Sequence, residues 1–267
     1  TEPTLMTVTM SFTAPSCNGG TNGTATASVA GGTAGYTYSW TTAPAQTTSS
    51  ATGLSAIAYT VTVTDSKSCT RTNSVTLTQP TAITATMSFT APSCSGGTNG
   101  TATVTASGGT AAYTYSWTTA PAQTTSSATG LSDITYTVTV TDSKSCTRTN
   151  SVTITEPTLM TVTMTFTAPS CSGGTNGTAT ASVAGGTAGY TYSWTTAPAQ
   201  TTSSATGLSD IAYTVTVTDS KSCTRTNSVT LTEPTLMTVT MSFTAPSCSG
   251  GTNGTATARV AGGTAGY

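Results

Sequence analysis

The sequence repeats itself with a period of 77 residues. Trp40, Trp117 and Trp194 are spaced by that interval, and a TEPT or TQPT motif opens each copy. Solenoid units are shorter, whereas 77 residues suffice for a small domain with its own core. We therefore expect three full domains and one partial copy, at residues 1–77, 78–154, 155–231 and 232–267.

Each copy has the alternating pattern of β-strands. Val8, Met10 and Phe12 alternate with Thr and Ser, which is typical of a strand with one buried face. Turn-forming Gly, Asn, Pro and Asp clusters separate similar segments, at 25–29, 36–40, 59–63 and 75–77, with a weaker edge strand at 47–52. Short strands at this spacing predict an all-β fold of tandem immunoglobulin-like β-sandwich domains, arranged as beads on a string.

The copies provide an internal test of which side chains point inward. Copy one has Ala27 and Val29 where copy two has Val104 and Ala106, a reciprocal exchange that conserves volume. Such compensation is typical of core positions. The pattern therefore predicts that these side chains face the core.

The composition argues against several classes of function. Charged residues make up 6% of the chain and the net charge is −1, so nucleic acid is not an expected partner. No apolar stretch approaches the roughly 20 residues of a membrane helix, so membrane insertion is not expected. Without histidine and with few carboxylates, the chain is not expected to be an enzyme or to bind a cofactor or metal. We interpret Asp65, Lys67 and Arg71 as solvated charges beside a turn.

Each full copy carries two cysteines, 52 residues apart. Pairing within a copy would stabilise a small domain by roughly 4 kcal/mol, which favours this pairing. Cross-copy pairing of the Cys69 with Cys94 type and reduced thiols stay open as alternatives. Regular cysteines indicate an oxidising, extracellular setting. The expected disulfides are Cys17–Cys69, Cys94–Cys146 and Cys171–Cys223, with the partner of Cys248 expected at position 300, outside the excerpt.

The order of motifs in each copy resembles the SprB repeat, a module of very large surface adhesins of gliding and other Bacteroidota. The residues that carry the resemblance are Cys17, Gly19-Gly20, Asn22-Gly23-Thr24, Gly31-Gly32-Thr33, Tyr36 to Trp40, Gly53-Leu54, Tyr59 to Asp65, Cys69 and Pro80. The resemblance extends over every copy. It implies an immunoglobulin-like fold, export by the Sec pathway and type IX secretion, and a role in adhesion or gliding motility.

These observations predict the structural repeat region of a secreted surface adhesin or extracellular fibre, an extended stalk that supports adhesion or surface motility. The expected partners are neighbouring repeats, identical chains in a fibre, and a surface polysaccharide or cell-surface ligand at a distal region outside this chain. One alternative is a self-assembling extracellular filament. A more remote one is an ice-binding surface formed by outward threonines such as Thr60, Thr62 and Thr64.

Overall fold

The computed structural model describes residues 4–264 and residue 266. The first three residues of the opening TEPT motif, Ala265 and the final Tyr267 of the partial copy lie outside this description. The described residues form strands, turns and bends, with no helix among them. That part of the chain accordingly has no helix able to cross a membrane.

The first repeat consists of six strands in two three-stranded antiparallel sheets. One sheet has the order β1-β2-β4 and the other the order β3-β5-β6. The all-β prediction is confirmed, and the weak edge strand expected at 47–52 lies slightly later, at β4. The strands are β1 Thr7–Thr13, β2 Gly23–Ala30, β3 Thr37–Trp40, β4 Ser50–Leu54, β5 Ala58–Thr64 and β6 Thr70–Thr76.

The same arrangement recurs in the next two repeats. The second repeat has β7 Thr84–Thr90, β8 Gly100–Ser107, β9 Thr114–Trp117, β10 Ser127–Leu131, β11 Thr135–Thr141 and β12 Thr147–Thr153. The third has β13 Thr161–Thr167, β14 Gly177–Ala184, β15 Thr191–Trp194, β16 Ser204–Leu208, β17 Ala212–Thr218 and β18 Thr224–Thr230. The partial copy contributes one antiparallel pair, β19 Thr238–Thr244 and β20 Thr255–Ala261.

The core of each sandwich is formed by the inward-facing residues of both sheets. In the first repeat, Ala25 and Ala51 of one sheet share a buried cluster with Trp40, Val61 and Val63 of the other. Small alanines alongside a large tryptophan let the two layers interdigitate at close-packed density. Separate clusters of the same make-up occupy the second and third repeats.

The internal comparison of the copies agrees with this core. Ala27 and Val104 are both buried, and Val29 and Ala106 both pack against their cores. Phe12 is the exception to the predicted alternation, because it lies at the end of β1 and remains 49% exposed.

Strand direction fixes where each loop lies. The end of the first sandwich at which the chain enters is called here the N-terminal end. β1 runs away from this end, and antiparallel β2 runs back to it. β4 runs towards the opposite, C-terminal end, because it is antiparallel to β2. β5 ends at the N-terminal end, because Asp65 just after it accepts the N–H of Thr33 in the loop that follows β2. β3 is antiparallel to β5 and therefore runs towards the C-terminal end. The loop after β1 and the turn after β5 therefore lie at opposite ends of one sandwich.

The chain divides into two compact units whose boundary does not follow the sequence repeat. The first unit comprises residues 1–90 and 101–154, and the second comprises residues 91–100 and 155–267. The loop that follows β7 in the second repeat thus groups with the third repeat. The domain limits expected from the 77-residue period stay a prediction.

Leu131 tests the core assignment in the second repeat. Leu131→Ala should lower the opening free energy of β11 amides by roughly 2–5 kcal/mol, because Leu131 is 1% exposed and its removal leaves a cavity. Hydrogen exchange followed by mass spectrometry can monitor residues 135–141, whose sequence differs from its counterparts. The matched control Ile134→Ala, at a side chain 54% exposed, should change that value by about 0.5 kcal/mol or less. Equal effects of the two substitutions would contradict the assignment.

Candidate functional site

The first half of the site is the loop at the C-terminal end of the first repeat, residues 14–22. Its shape is held by Asn22, whose Oδ1 accepts the Ser16 N–H at 2.9 Å and whose Nδ2 donates to Ser16 Oγ at 2.8 Å. The Gly20 N–H donates to the carbonyl of Cys17 at 2.9 Å. This local network fixes the backbone on both sides of Cys17, so the Asn22 amide is a structural part of the loop.

The second half is the turn at the N-terminal end, between β5 and β6. The Asp65 carboxylate is buried and accepts three backbone N–H groups, from Thr33, Lys67 and Cys69, each at 2.9 Å. The hydrogen bond from Thr33, and next the one from Cys69, lower the pKa of Asp65 although burial opposes the shift. The prediction of a solvated charge is therefore wrong for Asp65, while Lys67 and Arg71 are exposed as expected.

The equivalent aspartates hold the same turn in the other repeats. The Asp142 carboxylate accepts the N–H groups of Thr110 and Cys146 at 2.8 and 2.9 Å, and Asp219 accepts that of Cys223 at 2.9 Å. The same backbone hydrogen bonds lower the pKa of both carboxyls. Each aspartate thus positions the backbone of the second cysteine of its repeat.

Disulfides join the two kinds of half-site between consecutive repeats. Cys17 in the loop of the first repeat is bonded to Cys146 in the turn of the second, with Cα atoms 5.6 Å apart. Cys94 of the second repeat is bonded in the same way to Cys223 of the third, with a Cα separation of 5.7 Å. Both bridges span 129 residues of sequence. The site is therefore a junction, built from one loop and one turn of successive repeats.

This register corrects the pairings expected from the sequence, Cys17–Cys69, Cys94–Cys146 and Cys171–Cys223. The reason is strand direction. Cys17 follows β1 at the C-terminal end of its sandwich, whereas Cys69 follows β5 at the N-terminal end. β5 has seven residues and spans about 23 Å at about 3.3 Å per residue, whereas bridged Cα atoms lie within about 7 Å.

The cross-copy alternative with Cys69 bonded to Cys94 is also absent, because Cys94 is bonded to Cys223. Three cysteines remain as free, exposed thiols, namely Cys69, Cys171 and Cys248. A turn of one repeat therefore bonds to the loop of the repeat before it.

The linker between the first two repeats is held by the loop of the first repeat. The Gly19 N–H donates to Gln79 Oε1 at 2.7 Å, and Asn18 Nδ2 donates to the carbonyl of Pro80 at 3.1 Å. Proline also restricts the backbone at this point. These hydrogen bonds thus hold the TQPT motif against the loop that carries Cys17.

The second repeat holds the other side of that linker. The Gly109 N–H donates to the carbonyl of Thr81 at 2.8 Å. At neighbouring Gly108, which has a φ of +76°, a Cβ atom would lie 2.1 Å from the carbonyl oxygen of Ala82. Glycine is required here both by the left-handed backbone and by the close passage of the linker. Hydrogen bonds from both repeats and one disulfide therefore hold the junction together.

The other linkers use a different pair of side chains for the same contact. Ser95 Oγ and the Gly96 N–H donate to the two carboxylate oxygens of Glu156, at 2.8 and 2.6 Å. Ser172 and Gly173 bind Glu233 in the same way. The first junction has Asn with Gln, and the later two have Ser with Glu. The two positions thus differ together between the junctions.

Three further features were candidates for a binding site, namely a cleft, the metal-ligating side chains and the threonines of β5. A cleft of about 420 Å³ at the first junction is lined by residues that include Cys17, Ile83, Cys146 and Arg148. Residues 4–264 and 266 contain no group of three or more His, Cys, Asp or Glu residues placed to hold a metal. The threonines of central β5, which suggested an ice-binding face, are half-buried, and the Thr60 hydroxyl hydrogen-bonds Ser74 Oγ at 2.7 Å.

The SprB repeat family model matches three segments of the chain, residues 9–45, 86–122 and 163–199. Each full repeat contains one segment that matches the SprB repeat model. Each matched segment runs from the first strand of a repeat to the proline turn after its tryptophan, so it contains the first cysteine of the repeat and not the second. No curated protein matches the sequence.

Solved structures with tandem immunoglobulin or adhesion repeats are distantly similar. The N-terminal eight Ig domains of Down Syndrome Cell Adhesion Molecule isoform 1.30.30 match 84% of this chain at 13% identity and TM-score 0.31, and this chain spans 34% of that one. A tetra-tandem repeat from the extending region of a large adhesion protein matches 96% of this chain and 87% of its own at 13% identity and TM-score 0.26. Dpr2 Ig1-Ig2 in complex with DIP-Theta Ig1-Ig3 matches 84% and 99% at 9% identity and TM-score 0.28.

The aspartates make the stability of the repeats depend on acidity. Folding lowers the carboxyl pKa below its ordinary value of 3.8, so their contribution is complete above that pH and is lost as the pH falls towards the folded-state pKa. A triple variant, Asp65→Asn, Asp142→Asn and Asp219→Asn, should melt lower at pH 7 and lose less on acidification from pH 5 to pH 2. Thermal unfolding followed by circular dichroism measures both effects.

The control is Asp133→Asn, which removes an exposed carboxylate and should leave the pH 7 melting temperature unchanged. A triple variant whose melting temperature falls with acid as steeply as that of the wild type would show that these turns do not depend on the charged carboxylate.

Proposed function

We propose that the chain is a repeat region of a secreted bacterial surface adhesin, in which successive repeats form an extended stalk. The observation that carries this proposal is the junction. Each of the two disulfides joins the C-terminal loop of one repeat to the N-terminal turn of the next. A structure that transmits position or force along a series of domains needs stiffness at its joints, and these contacts provide it.

The direction of the junction supports a head-to-tail series. The two cysteines of one repeat lie at opposite ends of its sandwich, so the loop of each repeat faces the following repeat and its turn faces the preceding one. Heterologous contacts of this kind extend a series unless the rotation between successive copies closes it into a ring. Within each compact unit, the hydrogen bonds of Gln79 or Glu156 add a second fixed contact beside the disulfide.

The chemistry of the repeats supports a non-catalytic role. The sequence has no histidine, and the buried aspartates are fully engaged by backbone N–H groups. Such carboxylates hold a turn and have no free geometry for proton transfer to a substrate. We propose that neighbouring repeats are the main partners and that neither nucleic acid nor a membrane is bound.

The SprB repeats support the cell-surface assignment, since the resemblance given above places such repeats in large adhesins of gliding Bacteroidota. Disulfides that join exposed loops fit an oxidising, extracellular setting. We propose export by type IX secretion and a role in adhesion or gliding, with the surface polysaccharide or cell-surface ligand bound by a region outside this chain.

Small-angle scattering with light scattering tests the stalk. A monomer of end-to-end sandwiches should have a radius of gyration of roughly 27 Å or more, since three 77-residue domains of about 30 Å diameter each follow one another. A compact globule of 267 residues would have about 18 Å. A monomeric mass with the smaller radius would contradict the stalk.

The same measurement separates the stalk from a self-assembling filament. A mass that rises with protein concentration would support lateral or end-to-end association of identical chains. The double variant Cys17→Ser and Cys94→Ser serves as control, because loss of both bridges should broaden the distribution of intramolecular distances without changing the monomeric mass.

A further inference from the structure

The two disulfides overlap along the sequence. Cys94 lies inside the loop closed by Cys17 and Cys146, and Cys146 lies inside the loop closed by Cys94 and Cys223. The 52-residue stretch from Cys94 to Cys146 therefore belongs to both covalent loops. A chain break in the part that belongs to only one loop therefore leaves the other loop closed.

We propose that the disulfides form a second covalent path through the array, one that bypasses the linkers between repeats. The path crosses from Cys17 to Cys146, follows the chain backwards to Cys94, and crosses to Cys223. It does not include either linker, residues 78–83 or 155–160. Each of the two bridged junctions is consequently connected twice, once by the peptide chain and once by a cystine.

The first consequence is a limit on extension. Between Cys17 and Cys223 the peptide chain has 206 residues, whereas the second path has 52. At about 3.4 Å per extended residue, Cys17 and Cys223 of an unfolded array could separate to about 180 Å at most, instead of about 700 Å. Tension that unfolds the sandwiches therefore cannot separate Cys17 and Cys223 beyond the length of the second path.

The second consequence concerns backbone scission. A single cut anywhere between Cys17 and Cys223 leaves the two pieces joined by at least one disulfide. Linkers are exposed connecting segments, which are the usual sites of proteolytic nicking. Pairing within repeats would give no such protection, because a cut between Cys69 and Cys94 would separate the chain. The inference depends only on the pairing of the cysteines, so it stands or falls apart from the proposed stalk function.

The test places one acid-labile bond in each linker. Gln79→Asp creates the sole Asp–Pro bond of the chain, which dilute warm acid cleaves while disulfides survive. Cys69→Ser is added so that a Cys69–Cys94 bridge cannot hold the pieces together. After acid cleavage of the folded, alkylated and then denatured protein, we expect a single intact species without reductant. With reductant, fragments 1–79 and 80–267 should separate.

The matched control adds Cys146→Ser to the same variant and should release both fragments without reductant. A second arm uses Glu156→Asp with Cys171→Ser, a milder change of the linker, and its control adds Cys223→Ser. Release of fragments without reductant in both arms that retain Cys146 and Cys223 would overturn the proposal. An array that stays joined in these arms supports it, whatever shape the chain has in solution.

Discussion

A backbone turn held by a buried carboxylate is the constraint on which the junction depends. Asp142 accepts the N–H of Cys146, and this cysteine must meet Cys17 within the short range that a disulfide allows. A carboxylate with several N–H donors is a strong and directional clamp. The loop that carries Cys17 is fixed in turn by the Asn22 amide. Each half of the bridge is thus shaped inside its own repeat before the two repeats meet.

The disulfide at the junction also adds stability to repeats of low charge and modest core. A 77-residue sandwich lies in the size range where hydrophobic burial barely exceeds the conformational entropy of the chain. The cystine closes a loop of 129 residues, worth roughly 5 kcal/mol in the chain-entropy model, and it stabilises two repeats together. The paired changes at Asn18 with Gln79, and at Ser95 with Glu156, indicate that the linker contacts are specific.

Much of the fold could be predicted from the sequence, because period-2 alternation and turn clusters report directly on strands and faces. Trp40 and the exchange between Ala27 and Val104 identified the core for this reason. The disulfide register could not be obtained in this way. The register depends on the direction of β4. In the structure β4 runs in the same direction as β3 and not antiparallel to it. A reversing β4 would have put both cysteines of a repeat at one end. The sequence also did not predict that Asp65 is buried, because an Asp in a turn is usually solvated.

The most direct test of a cystine between successive repeats is a peptide map with the endoproteinase Asp-N, after alkylation of free thiols and without reduction. Cleavage before each aspartate gives four cysteine-containing peptides, 1–64, 65–132, 142–209 and 219–267. The structure predicts two linked pairs, 1–64 with 142–209 and 65–132 with 219–267. One complex of all four peptides would mean pairing within repeats, and four unlinked peptides would mean the Cys69–Cys94 register or reduced thiols. Either of these results would contradict the junction.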